Sequence, residues 1–336
     1  MTIKDIALCC GVSVSTVSRV LNNHPNVSEK AREKVLRAIQ EHHFVPNSSA
    51  RDLVKLESDS VGLVLRGIAN SFFAELLPPM EQLLLDAGYT PILHQIHSGT
   101  DELEAAARLA RAKRLKGLIL LGGSNDYSRE QTAVLKVPFV LCTYTNSFGN
   151  LAPNQYSSVT IDDRKTGYDA ARLLLEHGHR RIAILLDSVR DRSVSELRWM
   201  GFRQALEEAG VPFDPPLLAE SDSFDMDGAY RRTKELLAAG TAFTALFAVS
   251  DTMAIAAIRA LHEAGRSVPA DCSVVGVDGI ALTRYTIPSL TTFVQPQKEL
   301  VCTAVRTLVD LIEGRGGNRQ IVLDAAPRRG QSVRQL

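Results

Sequence analysis

Apolar positions in the first 45 residues recur at helical spacing. Ile3, Ile6 and Ala7 share one face, and Thr2 with Asp5 forms a capping-box pattern, the threonine hydroxyl and the aspartate carboxylate satisfying orphan amides of the first turn. Gly11-Val12-Ser13 breaks this run, and Ser13 is placed to cap a second helix from Val14 to about Leu21, with Val17, Val20 and Leu21 as its buried stripe. A third helix follows a Ser28 cap and runs to about His43, turning Val35, Leu36 and Ile39 inward. Residues 1–45 are therefore predicted to be a three-helix unit around one small core.

Residues 46–59 are polar, with a short helical centre from Ala50 to Lys55, and read as a linker carrying a marginal helix. From Ser60 onward, β-rich runs alternate with amphipathic ones. Val61–Leu65, Pro91–Ile96, Gly117–Leu121 and Pro138–Cys142 read as buried strands separated by helical stretches. The pattern restarts after residue 156 with Ser158–Ile161, Arg181–Leu186, Ala245–Val249 and Ser273–Val277. Helices are predicted near Arg164–His177, Ser195–Ala209, Asp227–Ala239 and Asp251–Ala264, with a last helix near Pro296–Glu313 and a last strand at Gln320–Leu323. Repeated βα units imply parallel sheets covered on both faces, so residues 60–336 are expected to form an α/β core of two doubly wound lobes. Ligands in such sheets bind beyond the strand carboxyl ends, here between the lobes. Pro78-Pro79 interrupts the first long helix of the core, where a kink or a late start is expected. His177 and His179, flanking Gly178, are placed to end a helix favourably.

Composition narrows the function without naming it. Of 336 residues, 38 are basic and 38 acidic, so global charge selects no partner, and residues 1–60 are only slightly positive. Five cysteines without a C-x-x-C pair indicate neither a disulfide framework nor a zinc site, and a reducing cytosol fits them. No leader-type apolar region opens the chain, and no apolar run is long enough to span a bilayer, so a cytoplasmic protein with no membrane partner is expected. No cofactor or metal is implied.

Two helices meeting across a glycine turn make the geometry that lays a recognition helix in the major groove of DNA; an ordinary helical subdomain has the same spacing. The residue identities separate the two readings. Thr2–Asn22, TIKDIALCCGVSVSTVSRVLN, resembles the headpiece of the lactose-repressor/galactose-repressor (LacI/GalR) family of bacterial transcription regulators. The resemblance continues through Val27-Ser28-Glu29-Lys30-Ala31-Arg32 and through 44–53, FVPNSSARDL, the family's hinge. It then runs along the core through Asn70-Ser71-Phe72-Phe73, Val159-Thr160-Ile161-Asp162-Asp163, Gly178-His179-Arg180-Arg181-Ile182-Ala183, Arg198-Trp199-Met200-Gly201-Phe202, Ser250-Asp251-Thr252-Met253-Ala254 and Val275-Gly276-Val277-Asp278.

This resemblance implies a helix-turn-helix headpiece (1–45), a hinge-helix linker (46–59) and a periplasmic-binding-protein-like core (60–336) that binds an effector and dimerises. It also implies a homodimer, or a tetramer built from dimers, whose headpieces occupy the half-sites of a pseudo-palindromic operator. Val14 and Ser15, with Arg19 one turn later, then meet base edges: Val14 a thymine methyl, Ser15 a donor or acceptor, Arg19 guanine O6 and N7. Thr16, Ser18 and Asn22 are placed for phosphates or caps. Leu53 stands where the family sets an apolar wedge into the minor groove.

The core's resemblance to periplasmic sugar-binding proteins implies a small polar effector between the lobes, a sugar first of all, with a purine, a phosphosugar or a protein co-repressor as alternatives. Matching positions supply Phe72, Phe73 and Phe224 as stacking or core aromatics, and Arg198, Ser250, Asp251 and Asp278 as polar anchors, with capping of its own helix the alternative for Asp251. Two departures bear on the effector: Ser250 stands where the family often has asparagine, and Gly279 where a second polar residue commonly follows the aspartate. The expected function is a repressor whose operator affinity is switched by that effector. The alternatives are weaker. An α/β enzyme would want a phosphate-binding or nucleophile motif, yet Arg66-Gly67-Ile68-Ala69-Asn70-Ser71 follows the first strand; a solute-binding receptor would not need residues 1–55.

Overall fold

A computed structural model describes residues 1–21, 24–42, 44, 58–97, 99–221 and 223–336, and divides the chain into two compact units, Met1–Ser58 and Asp59–Leu336. Asn22, Leu53 and residues 46–57 of the linker lie outside the described residues.

The first unit consists of α1 (Ile3–Cys10), α2 (Val14–Leu21) and α3 (Glu29–Glu41). The capping box at Thr2 and Asp5 forms, and Gly11 closes α1 at φ 59°. Ser28 occupies the cap position of α3 without donating or accepting a side-chain bond there, a difference from the sequence expectation. Ile6, Ala7, Cys10, Val17, Val20, Val35, Ala38 and Phe44 make the core; Leu36, expected inside, is exposed.

The second unit holds two six-stranded sheets. The first is assembled from β1 (Ser60–Arg66), β2 (Thr90–Ile96), β3 (Gly117–Leu121), β4 (Phe139–Cys142), β5 (Ser157–Ile161) and β11 (Gln320–Leu323), in the order β11-β5-β4-β3-β1-β2. The second is assembled from β6 (Ile182–Leu186), β7 (Leu218–Glu220), β8 (Ala245–Ala248), β9 (Ser273–Asp278), β10 (Thr291–Val294) and β12 (Ala326–Arg328), in the order β12-β10-β9-β8-β6-β7. All pairings are parallel except β10 with β12.

The lobes interleave in sequence. The pattern that restarts after residue 156 suggested that Ser158–Ile161 opens the second lobe, yet β5 is a strand of the first sheet. The chain crosses to the second lobe at Asp162 and returns at Gln295-Pro296. There α11 (Gln297–Ile312) buries Leu300, Val301, Ala304 and Leu308 against the first sheet. After β11 it crosses once more to β12. Strands β7, β10 and β12 were not anticipated: two have three residues, and β12 carries Pro327, tolerated because this is an edge strand.

Helix α4 (Ser71–Asp86) runs through Pro78-Pro79, so of the two expected outcomes, a kink or a late start, the late start does not occur. Mid-helix proline costs about 3 kcal/mol. Burial of Phe72, Phe73, Leu76, Met80 and Leu84, each contributing about 1.5–3 kcal/mol, outweighs both prolines. Among the described residues no helix is long and apolar enough to cross a membrane.

Candidate functional site

On α2, burial of Val17 and Val20 turns the opposite face outward. Val14, Ser15 and Arg19 are exposed, with Thr16 and Ser18 half-buried beside them. Ser15 and Arg19 stand one helical turn apart on that face. The Ser13 hydroxyl accepts the Thr16 amide at 3.1 Å and lies 2.8 Å from the hydroxyls of Ser15 and Thr16, so hydroxyls cluster at the start of the helix. A methyl-bearing side chain and a hydroxyl in the first turn of the second helix, with a guanidinium in its last turn, are groups able to read base edges.

In the second unit a cleft of about 520 Å³ opens between the carboxyl ends of the two sheets. The first lobe lines it with Arg66, Asn70, Phe72, Phe73 and Tyr144, and the second with Asp187, Asp191, Arg198, Phe224, Asp225, Asp278 and Gln295. Of the residues expected to hold an effector, Phe72, Phe73, Arg198, Phe224 and Asp278 therefore line the cleft. Ser250 and Asp251 do not. Ser250 is wholly buried and caps a helix, α10 (Asp251–Glu263), accepting the Met253 amide at 3.3 Å. The Asp251 carboxylate accepts the amides of Gly279 and Ile280 at 2.6 and 3.0 Å and the Thr292 hydroxyl at 2.5 Å, so it shapes the loop after β9 instead of facing a ligand.

Gly279 owes its identity to that loop. Its φ is +77°, and a Cβ there would lie 2.8 Å from the Val294 Cα, which explains why a polar side chain does not follow Asp278. Asp278 itself sits at φ 123°, a strained conformation for a residue with a Cβ.

Arg198 is held by two helices in near backbone contact, α7 (Asp163–Glu176) and α8 (Val194–Glu208). A Cβ on Gly167 would collide with the Arg198 backbone, and one on Gly201 with the Arg164 carbonyl, so both glycines permit the approach. The guanidinium then donates from Nε to Asp163 Oδ1 at 2.9 Å and from Nη1 to the Val249 carbonyl, while Nη2 lies 2.8 Å from the same carboxylate oxygen as an ion pair. Nη1 is 4.0 Å from Asp278 Oδ1, which also accepts Gln295 Nε2 at 2.8 Å. Burial pushes the carboxyls of Asp163 and Asp278 up to about 6, with Arg198 opposing it in both.

Phe72 and Phe73 are almost wholly buried in the first lobe's core, so little of either ring reaches the cleft; Phe224 is half-buried and has more ring surface available for stacking. Asp162 caps α7 by accepting the Lys165 amide at 2.9 Å. His177 ends α7 with a ring nitrogen 2.7 Å from the Leu173 carbonyl. His179 does not end a helix as expected: it is buried between the hydroxyls of Thr244 and Ser273, each at 2.9 Å.

Sequence reasoning missed Arg66, Asn70, Asp187, Asp191 and Gln295. The available signal was position, since Asp187 and Gln295 each directly follow a strand. Arg66 pairs with the buried Glu102 at 3.1 Å and donates to the Thr100 carbonyl at 2.9 Å. Burial pushes the Asp187 carboxyl up to about 8, reinforced by the charge of Asp191.

Comparison with known proteins agrees with this anatomy. Residues 2–47 match the family profile described as bacterial regulatory proteins, lacI family, and residues 171–333 match a periplasmic-binding-protein-like domain. The HTH-type transcriptional regulator MalR of Clostridium butyricum is 39% identical over 326 residues, 96% of either chain. A transcriptional regulator CelR–cellobiose complex superposes with a TM-score of 0.72 at 31% identity, covering 99% of each chain. The lac repressor dimer bound to operator and an anti-inducer superposes with 0.78 at 26% identity, also over 99% of each.

Proposed function

Since the chain belongs to the lacI family of bacterial regulatory proteins, a family of DNA-binding regulators and not of enzymes, we propose that two copies grip a pseudo-palindromic operator and that a sugar in the cleft sets how tightly they hold it. Val14, Ser15 and Arg19 of each copy face the bases, while Thr16, Ser18 and Asn22 face phosphates. Leu53 supplies the minor-groove wedge that the family resemblance implies. The observation that carries this reading is the pairing, in one chain, of an outward-facing second helix with a cleft whose walls combine Phe224, Arg198 and Asp278. Relatives support both halves: one solved neighbour is a dimer on operator DNA and another holds cellobiose.

A second copy has a suitable surface to meet. Leu282, Tyr285 and Ile287 are 45%, 80% and 95% exposed, an apolar patch that pairing with a like patch would cover. The protein acts in the cytoplasm, where its DNA lies. Effector and operator are coupled through the core, and the coupling is reciprocal: if sugar changes operator affinity by some factor, operator changes sugar affinity by the same factor.

The test is selection of genomic fragments by the intact protein, followed by fluorescence anisotropy on the enriched site with and without neutral sugars. A pseudo-palindromic site is expected to be enriched and its affinity to shift with sugar. No preference for any fragment over random competitor, with or without sugar, overturns the reading.

A further inference from the structure

In-register pairing sets Ile184 of β6, Phe247 of β8 and Val275 of β9 side by side. Three residues further along each strand come Asp187, Ser250 and Asp278. These three therefore stand at one level on the carboxyl edge of the second sheet. Ser250 turns inward to cap α10, so Asp187 and Asp278 are the acids left facing the cleft from this level, two strand spacings or roughly 10 Å apart at the backbone.

Among the described residues, the buried cleft-lining side-chain atoms without a partner are Asp187 Oδ1, Asp278 Oδ2, Gln295 Oε1 and Arg66 Nε. Three are acceptors and one is a donor. Buried polar groups left unpaired are costly, so the complementary ligand brings mainly hydrogen-bond donors to this wall. The cleft's arginines are already matched by carboxylates, Arg66 by Glu102 and Arg198 by Asp163, whereas Asp187, Asp191, Asp225 and Asp278 all line it.

We propose that Asp187 is a second reading point for the effector: its Oδ1, without a partner, hydrogen-bonds a hydroxyl at the end of the ligand away from Asp278, and the acid pair Asp187–Asp191 leaves no cation there for a ligand phosphate. This rests on the reading of the cleft as a sugar site. The segment from Asp187 to Ser193 also reaches the first lobe, since the Asn125 amide donates to the Arg192 carbonyl at 3.0 Å and the Arg192 guanidinium lies 5.0 Å from the centre of the Phe148 ring. A hydroxyl held by Asp187 is thus held by a segment already fastened across the cleft.

Calorimetry on the full-length protein tests this with glucose, ribose and cellobiose against glucose 6-phosphate and ribose 5-phosphate, using Asp187→Ala, Asp187→Asn and, as a reference for the cleft, Arg198→Met. The wild type is expected to bind at least one neutral sugar and neither phosphate ester. Asp187→Ala is expected to weaken that binding about tenfold or more, since it leaves a buried ligand hydroxyl without its partner, while Asp187→Asn, which keeps a hydrogen-bonding group, stays within about threefold. Unchanged binding in Asp187→Ala, with loss in Arg198→Met, overturns the role of Asp187 and leaves the sugar cleft standing. Unchanged binding in both variants overturns the cleft itself. A phosphate ester that binds as tightly as its neutral sugar, or a failure of every neutral sugar to bind, also overturns the proposal.

Discussion

The Glu75 carboxylate of the first lobe accepts the backbone amide of Ala281, in the second, at 2.7 Å. Its other oxygen accepts Gln297 Nε2 at 3.0 Å, at the point where the chain re-enters the first lobe. Beside it, the Thr252 hydroxyl donates to Asn70 Oδ1 at 3.2 Å, and Ile280 is buried in the first lobe's apolar cluster. One edge of the cleft is thereby tied by groups that belong to both lobes. Glu75→Ala is expected to cost the core about 1–2 kcal/mol in urea unfolding, since it strips two donors of their acceptor. It is also expected to weaken sugar binding. An unchanged urea midpoint would show that these bonds contribute nothing to holding the lobes together.

Arg198 and Asp163 form a buried ion pair, and removing one partner leaves the other uncompensated. Arg198→Met is expected to destabilise the core by about 3–5 kcal/mol at pH 8. The loss has a pH signature. In the wild type Asp163 titrates at about 6 when folded, against 3.8 as a free side chain, so the folded state binds the extra proton and stability falls as pH rises through that window. Without the arginine the carboxyl takes up its proton at still higher pH. The penalty of Arg198→Met is therefore expected to shrink at pH 5, and thermal unfolding at the two pH values that gives equal losses would contradict the ion-pair account.

Asp187 makes a separate prediction for the effector-free protein. Its folded value of about 8 lies above the unfolded 3.8, so its contribution is intact below about pH 4 and is lost as pH rises toward 8. Asp187→Asn is expected to be more stable than wild type by about 1–3 kcal/mol at pH 8.5, the cost of a buried unsatisfied group, and equal to it near pH 4. A gain of the same size at both pH values would mean that the carboxylate's charge is not the cause.

Arg19, exposed on the outward face of α2, separates base reading from phosphate contact. Arg19→Ala is expected to relax preference at one symmetric base pair by about 1–3 kcal/mol in a selection from randomised operators. A uniform loss across all sequences, with a shallower salt dependence, would assign Arg19 to the phosphates.

The sequence by itself located most elements, because the alternation of buried and exposed positions is a local property that a helix or strand writes along its own length. It also carried the outward face of the second helix, since burying Val17 and Val20 turns Ser15 and Arg19 to the opposite side, with Val14 at its flank. Lobe membership was not local: Ser157–Ile161 looks the same whichever sheet it joins, and only pairing with β4 put it in the first. Position at a helix start offered Asp251 a capping role that Asp278 lacks, but could not say what either carboxylate would meet. Packing decided that, wrapping one in backbone amides and leaving an oxygen of the other open to the cleft. Asp187 was the least visible, because facing a ligand depends on the register of three strands that lie dozens of residues apart and are brought level only by folding.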